Sequence, residues 1–266
     1  MLDCVFCFKS KAFYLAKYNK IINEVGVFMK IMEKYCCLLL LLLILFYGVT
    51  KNNQQSTLQK VLFDEYHWQA IEGVYSKVYY KTEKEYAELI QRQADTYYTM
   101  IAKDFEWNKK EKINFIFFET KEDFMSSLFY RGNITMGAYY NGVIGVLSPN
   151  LWENQKQYWK KTDDFLEKGP VVHEMIHFAV DDKTMGNCEE FLSEGIALYY
   201  EKKYTGFSMP VSKGQITTKE LQQNFDKLDS SFAYWKSYEW VQKFVECYGE
   251  KTLQKALQQM AEKCYK

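Results

Sequence analysis

Residues 170–180 read Pro-Val-Val-His-Glu-Met-Ile-His-Phe-Ala-Val and hold two of the three histidines of this 266-residue chain. A stretch this apolar must pack inside, yet it brings two imidazoles and a carboxylate with it. Polar groups buried without partners are strongly disfavoured, so any fold of this chain must supply partners for them. Pro170 suits the first turn of a helix, where its missing N–H would be unpaired anyway. On that helix His173 and His177, four residues apart, project from one face, one above the other. Glu174 lies about 100° round the axis, beside that face. The result is the H-E-x-x-H arrangement, with two imidazole ligands for a metal and a carboxylate placed to take a proton from an attacking water. The third histidine, His67, stands alone in a stretch rich in tyrosine and tryptophan.

Two imidazoles do not complete a catalytic zinc site, which usually takes three protein ligands and leaves one position open. A third histidine at the H-E-x-x-H-x-x-G-x-x-H spacing is excluded, because Val180 and Lys183 occupy the Gly and His places. The supply must be a carboxylate. The stretch "NCEEFLSEGIALYYEKK" (187–203) reads as the next helix, with Asn187 as N-cap and Glu190 at the third position, close to a capping box. Glu189 and Glu190 read as first-turn acids favoured by the helix dipole. Glu194 lies a turn further in, between Leu192 and Ile196, where an unpaired carboxylate would be unwelcome, and it is the candidate ligand. Gly195 beside it permits a close approach by another helix.

Elsewhere the chain alternates between the two regular periodicities. From about Leu58 to Trp107 apolar residues recur at three- and four-residue steps, which predicts helix. "KINFIFFET" (112–120) is short, β-branched and aromatic, and reads as a buried strand. Residues 137–149 read as two short strands about Asn141-Gly142, the dipeptide that favours a type I′ hairpin. Past Trp152 the pattern is helical to the end. Strands followed by a run of helices predict an α+β domain with a small mixed or antiparallel sheet, an active-site helix and a mostly helical C-terminal half.

The N-terminal part has a different character. Residues 35–49 are an uninterrupted apolar run of 15, bounded by Glu33 and Lys34 on one side and Lys51 on the other. That is slightly short of the roughly 20 residues of a spanning helix and at the upper limit for a signal-peptide core, about 7–15. No A-x-A-like cleavage site follows, so a retained signal anchor is expected rather than a cleaved, secreted form. Six lysines precede the run, which keeps the N-terminus cytoplasmic and the remainder outside. The expected organisation is a cytoplasmic segment or mis-assigned start (1–34, with Met29 or Met32 as alternative starts), an anchor (35–49), a polar tether (50–57) and a catalytic domain (58–266). Cys4 and Cys7 have the spacing of a metal or redox pair but stand alone, and coincidence accounts for them. Only Cys188, Cys247 and Cys264 lie beyond the anchor, too few for a disulfide framework. With 34 basic and 34 acidic residues the chain has no charge excess to draw it to nucleic acid.

His173-Glu174-x-x-His177, then "FLSEGIALYYE", then "YWKSYEWVQKFVECYGEKTLQKAL" with Tyr234, Ser237, Tyr238 and Tyr248-Gly249, occur in that order. This succession resembles the gluzincin metallopeptidases, the thermolysin-like clan, and is most similar to the bacterial peptidase MA-like domains over roughly residues 80–260. The resemblance implies zinc held by His173, His177 and Glu194, with Glu174 as general base. It also implies an oxyanion donor at Tyr234, with Tyr238 packing or exchanging that role, and an edge strand near 137–147 that aligns an extended peptide. One place departs from the pattern. Thermolysin has an aspartate four residues after its glutamate ligand that supports a histidine, and here Leu198 stands there, leaving Asp181 as a candidate for that support. The expected activity is hydrolysis of a peptide or protein substrate. The rival readings are a peptide-binding module that kept the fold and a zinc hydrolase of a non-peptide bond.

Overall fold

In the computed structural model of the protein the described residues are Leu58, 68–127, 129, 135–152 and 169–262. All lie in the second of the two compact units into which the chain divides, Ser56–Lys266. The expected anchor at 35–49, the residues before it, the tether, His67 and Cys264 lie outside the described residues. Among the described residues no helix is long and apolar enough to cross a membrane.

The unit is α+β. Its five strands are β1 (Gln69–Glu72), β2 (Ser76–Tyr80), β3 (Ile113–Phe118), β4 (Gly137–Tyr140) and β5 (Val143–Leu147). They form one mixed sheet in the order β1-β2-β3-β5-β4. β2, β3 and β5 run parallel, and β1 and β4 pair antiparallel at the two edges. β3 is central and covered on both faces, which explains its nearly continuous burial and its run of three buried phenylalanines, Phe115, Phe117 and Phe118. The turn between β4 and β5 has Asn141 at φ 46° and Gly142 at φ 80°, both left-handed as a type I′ turn requires.

Besides helical Leu58 and two 3-10 turns (Pro149–Leu151 and Phe225–Lys227), the described part has the α-helices α1 (Lys84–Phe105), α2 (Lys121–Ser126), α3 (Val171–Thr184), α4 (Glu190–Thr205), α5 (Thr218–Asn224), α6 (Ser230–Tyr248) and α7 (Glu250–Glu262). α1 and α3 share one face of the sheet. Tyr86 of α1 meets Phe117 of β3, and Phe178 of α3 stacks on Tyr139 of β4. Phe124 and Phe129 close the other face against Phe118.

One expectation fails here. The helical reading from Leu58 to Trp107 holds at Leu58 and over Lys84–Phe105, but residues 69–80 are the β1–β2 hairpin, and 59–67 lie outside the described residues. Along β2 burial alternates strictly, with Ser76, Val78 and Tyr80 inside and Lys77 and Tyr79 half-exposed. Gly73 in the connection carries no side chain where Asp95 of α1 closes in. That carboxylate caps the turn, accepting from the main-chain N–H groups of Val74 (2.6 Å) and Tyr75 (3.0 Å) and from Ser76 Oγ. Contacts with a later helix therefore fix the hairpin, and a local pattern cannot report them.

Candidate metal centre

α3 is a buried helix. Pro170 sits at its N-cap with helical φ and ψ, and its carbonyl accepts the N–H of Glu174. Val171, Val172, Met175, Ile176, Phe178, Ala179 and Val180 are all buried, so the helix cannot rotate its polar residues to solvent. Its far end is tied to α1. Trp107 Nε1 donates to Asp182 Oδ2 (2.7 Å), and Lys183 Nζ donates to the carbonyl of Phe105 at the C-terminus of α1 (2.9 Å). At its near end Gly137 of β4 lies against Pro170 and Glu174, where a Cβ would come within 2.6 Å of Pro170 Cβ. The edge strand thus passes directly beside Glu174.

α4 supplies the facing surface. Glu194 Oε2 lies 3.2 Å from His173 Nε2 and 3.5 Å from His177 Nε2, and the two Nε2 atoms are 3.0 Å apart. Ligand atoms around a tetrahedral zinc, with bonds of about 2.0–2.2 Å, lie roughly 3–4 Å from one another. His173, His177 and Glu194 form the group of potential metal ligands found among the described residues. Each imidazole retains some accessibility, 16% for His173 and 13% for His177, so the trio opens to solvent on one side. Glu189 forms the N-cap of α4 and Glu190 its first residue, and neither belongs to the trio.

The remaining ring nitrogens are engaged as well. His177 Nδ1 is 2.8 Å from Ser193 Oγ, and His173 Nδ1 is 3.1 Å from Glu201 Oε2. Both Nε2 atoms therefore turn toward Glu194. Asp181 does not support either ring. It accepts a hydrogen bond from Tyr139 Oη at 2.6 Å and so ties α3 to β4. Four residues past His177, Asp181 is on the correct face but already opposite the sheet. Asn187 also departs from its expected role. Its side chain closes the preceding helix by donating to the carbonyls of Thr184 and Met185, and α4 begins three residues later.

Three carboxyl groups surround two imidazoles in a buried place. Burial opposes charge on His173, but hydrogen bonds to Glu194 and Glu201 outweigh it and raise the imidazole pKa well above its ordinary value. Burial likewise opposes charge on Glu194, but the charge of His177 and hydrogen bonds to both imidazoles hold its carboxyl well below the usual carboxylate range. Glu174, 7% exposed, is pushed upward by burial, against the pull of the two histidines. The neighbouring carboxylates thus favour a proton on His173, and burial favours one on Glu174. A bound dication would offset the carboxylates instead and favour neutral imidazoles. The donor set, its spacing and its surplus negative charge all fit Zn2+.

The two tyrosines are placed differently. Tyr234 on α6 has its hydroxyl pKa raised first by the charge of Glu194, then by burial and by the charge of Glu174, so it lies in the field of the centre and stays protonated. Its ring stacks on Phe225. Tyr238, 4% exposed, accepts a hydrogen bond from Lys202 Nζ at 2.7 Å and packs beside Trp235. Sequence reasoning missed Ser193 and Glu201. Glu201 stands seven residues after Glu194, two turns along the same face, and that spacing was the available signal.

The chain matches no family model, and no curated protein or solved structure matches it.

Proposed function

We propose that this protein is a zinc-dependent metallopeptidase of gluzincin type, held at the membrane through residues 35–49 with its catalytic domain extracytoplasmic. The convergence of His173 Nε2, His177 Nε2 and Glu194 Oε2 within 3.0–3.5 Å of one another, beside the buried Glu174, carries this reading. These three residues would hold the ion. When bound, zinc polarises the scissile carbonyl and makes a water nucleophilic near neutral pH.

The chain's own residues account for the rest. Glu174 takes the proton from the attacking water and delivers it to the leaving amine nitrogen. Its raised pKa suits a group that must hold a proton between those two events. Tyr234, protonated and within the field of Glu194 and Glu174, donates its Oη–H to the developing oxyanion. β4 is one of the two edge strands of the sheet, and its Gly137 lies beside Glu174. An extended peptide added to that edge would run past the catalytic carboxylate, which favours a peptide or protein substrate.

The ligand assignment is tested by metal content. Purified protein should carry one zinc per chain, and Glu194→Ala should lose it together with activity. A Glu194→Ala variant that keeps full zinc occupancy removes the assignment.

A further inference from the structure

The buried carboxylate of Glu201 has no place in the ligand set or in the chemistry above. Glu201 is 4% exposed, and its Oε2 lies 3.1 Å from His173 Nδ1, the nitrogen that points away from Glu194. α4 meets α3 in the opposite chain sense: Ser193 engages His177, and Glu201, two turns on, engages His173. Seven residues of helix bring a side chain back to within about 20° of the same face. Glu194 and Glu201 therefore address opposite nitrogens of one ring.

A charged group at that depth needs a partner, and the ring N–H supplies one. The consequence for the ring is specific. A carboxylate at Nδ1 fixes the proton there, presents the Nε2 lone pair toward Glu194 and His177, and makes that nitrogen more basic. Position 198, four residues after Glu194, holds a leucine and cannot do this.

We infer that Glu201 is the positioning residue of the centre, orienting His173 for metal through its Nδ1–H. His177 receives only the weaker, uncharged support of the Ser193 hydroxyl. The inference rests on the metallopeptidase reading insofar as it needs a metal at His173, but it assigns a residue and an energetic role that reading does not contain. A purely structural carboxylate, pinning α4 to α3, would have the same contact, so the test must separate orientation from fold stability.

The experiment measures zinc affinity of the full chain by competition with a chromophoric chelator, beside the melting temperature of the metal-free form. Glu201→Gln preserves shape and can still accept from Nδ1–H but lacks the charge. It should remain folded and bind zinc several-fold to tenfold more weakly. Glu201→Ala should bind about 10- to 100-fold more weakly. Tyr204→Phe, which deletes a hydrogen bond to Asp104 from the same helix, serves as control and should alter only the melting temperature. In zinc-loaded wild type, 15N–1H spectra should show the His173 Nδ1–H proton shifted strongly downfield, as a hydrogen bond to the Glu201 carboxylate requires, an observation that does not depend on any variant folding; an unshifted Nδ1–H would overturn the positioning role. If wild type binds zinc while both Glu201 variants keep its affinity within twofold, the positioning role is overturned and the metallopeptidase reading stands. If wild type binds no zinc, both fall together.

Discussion

Gly195 of α4 lies against the main-chain carbonyl of Ser237 on α6, with no room for a side chain between them. Val241 crowds the same point. The residue next to the proposed carboxylate ligand is thus a place of close approach between α6 and α4, and Tyr234 sits one turn before that contact. Gly195→Ala would force the two helices apart. Overpacking of this kind costs about 1–3 kcal/mol, and we expect a melting temperature lower by several degrees together with a loss of turnover larger than the loss of zinc. A variant with unchanged turnover would show that the spacing of α4 and α6 does not matter to the chemistry.

The two tyrosines should separate in the same assay. Tyr234→Phe removes the hydroxyl in the field of Glu194 and should lower kcat by about 10²-fold, the scale of an oxyanion donor, with zinc retained. Tyr238→Phe removes an acceptor from Lys202 and should act mainly on stability, by about 0.5–1.5 kcal/mol. A greater loss of turnover in Tyr238→Phe would reverse the assignment.

The metal-free protein should have a characteristic pH dependence. Glu194 has a folded pKa below its ordinary value of 4.5, so its contribution is present above about pH 4.5 and is lost as pH falls. His173 has a folded pKa above its ordinary 6.5, so its contribution is complete below about pH 6.5 and is lost as pH rises through the folded value. The pair therefore stabilises most between these limits. The melting temperature of the metal-free form should fall from pH 6 to pH 9, and His173→Gln should flatten that fall. An undiminished fall in His173→Gln would assign it to other groups.

The parts of this fold that the sequence disclosed are those set by local rules. The helix of His173 and His177 follows from an apolar run opened by Pro170, and the β4–β5 turn follows from the backbone freedom of Asn141-Gly142. Glu194 stood out because leucine and isoleucine flank it. What stayed hidden depends on partners distant in sequence. The β1–β2 hairpin is held by Asp95, some twenty residues on, and its strands are short, with Tyr79 and Tyr80 side by side so that the residue types do not show the alternation that burial does. Glu201 precedes Lys202 and Lys203 and looks like the solvated end of a helix until α3 is laid against it. Asp181 was on the right face of the right helix for a histidine partner, but the sheet side of that face belongs to Tyr139.

The central claim is that the His173-Glu174-His177-Glu194 constellation hydrolyses peptide bonds, and the most direct test is cleavage of a mixed-peptide library by the zinc-loaded full chain and by Glu174→Gln. Wild type should cleave, stop on chelation and recover with added zinc. Glu174→Gln should bind zinc equally, keep the melting temperature of the loaded form within a few degrees, and cleave about 10²-fold more slowly or less. Equal cleavage by the two proteins, or none by a zinc-loaded wild type, would contradict the account.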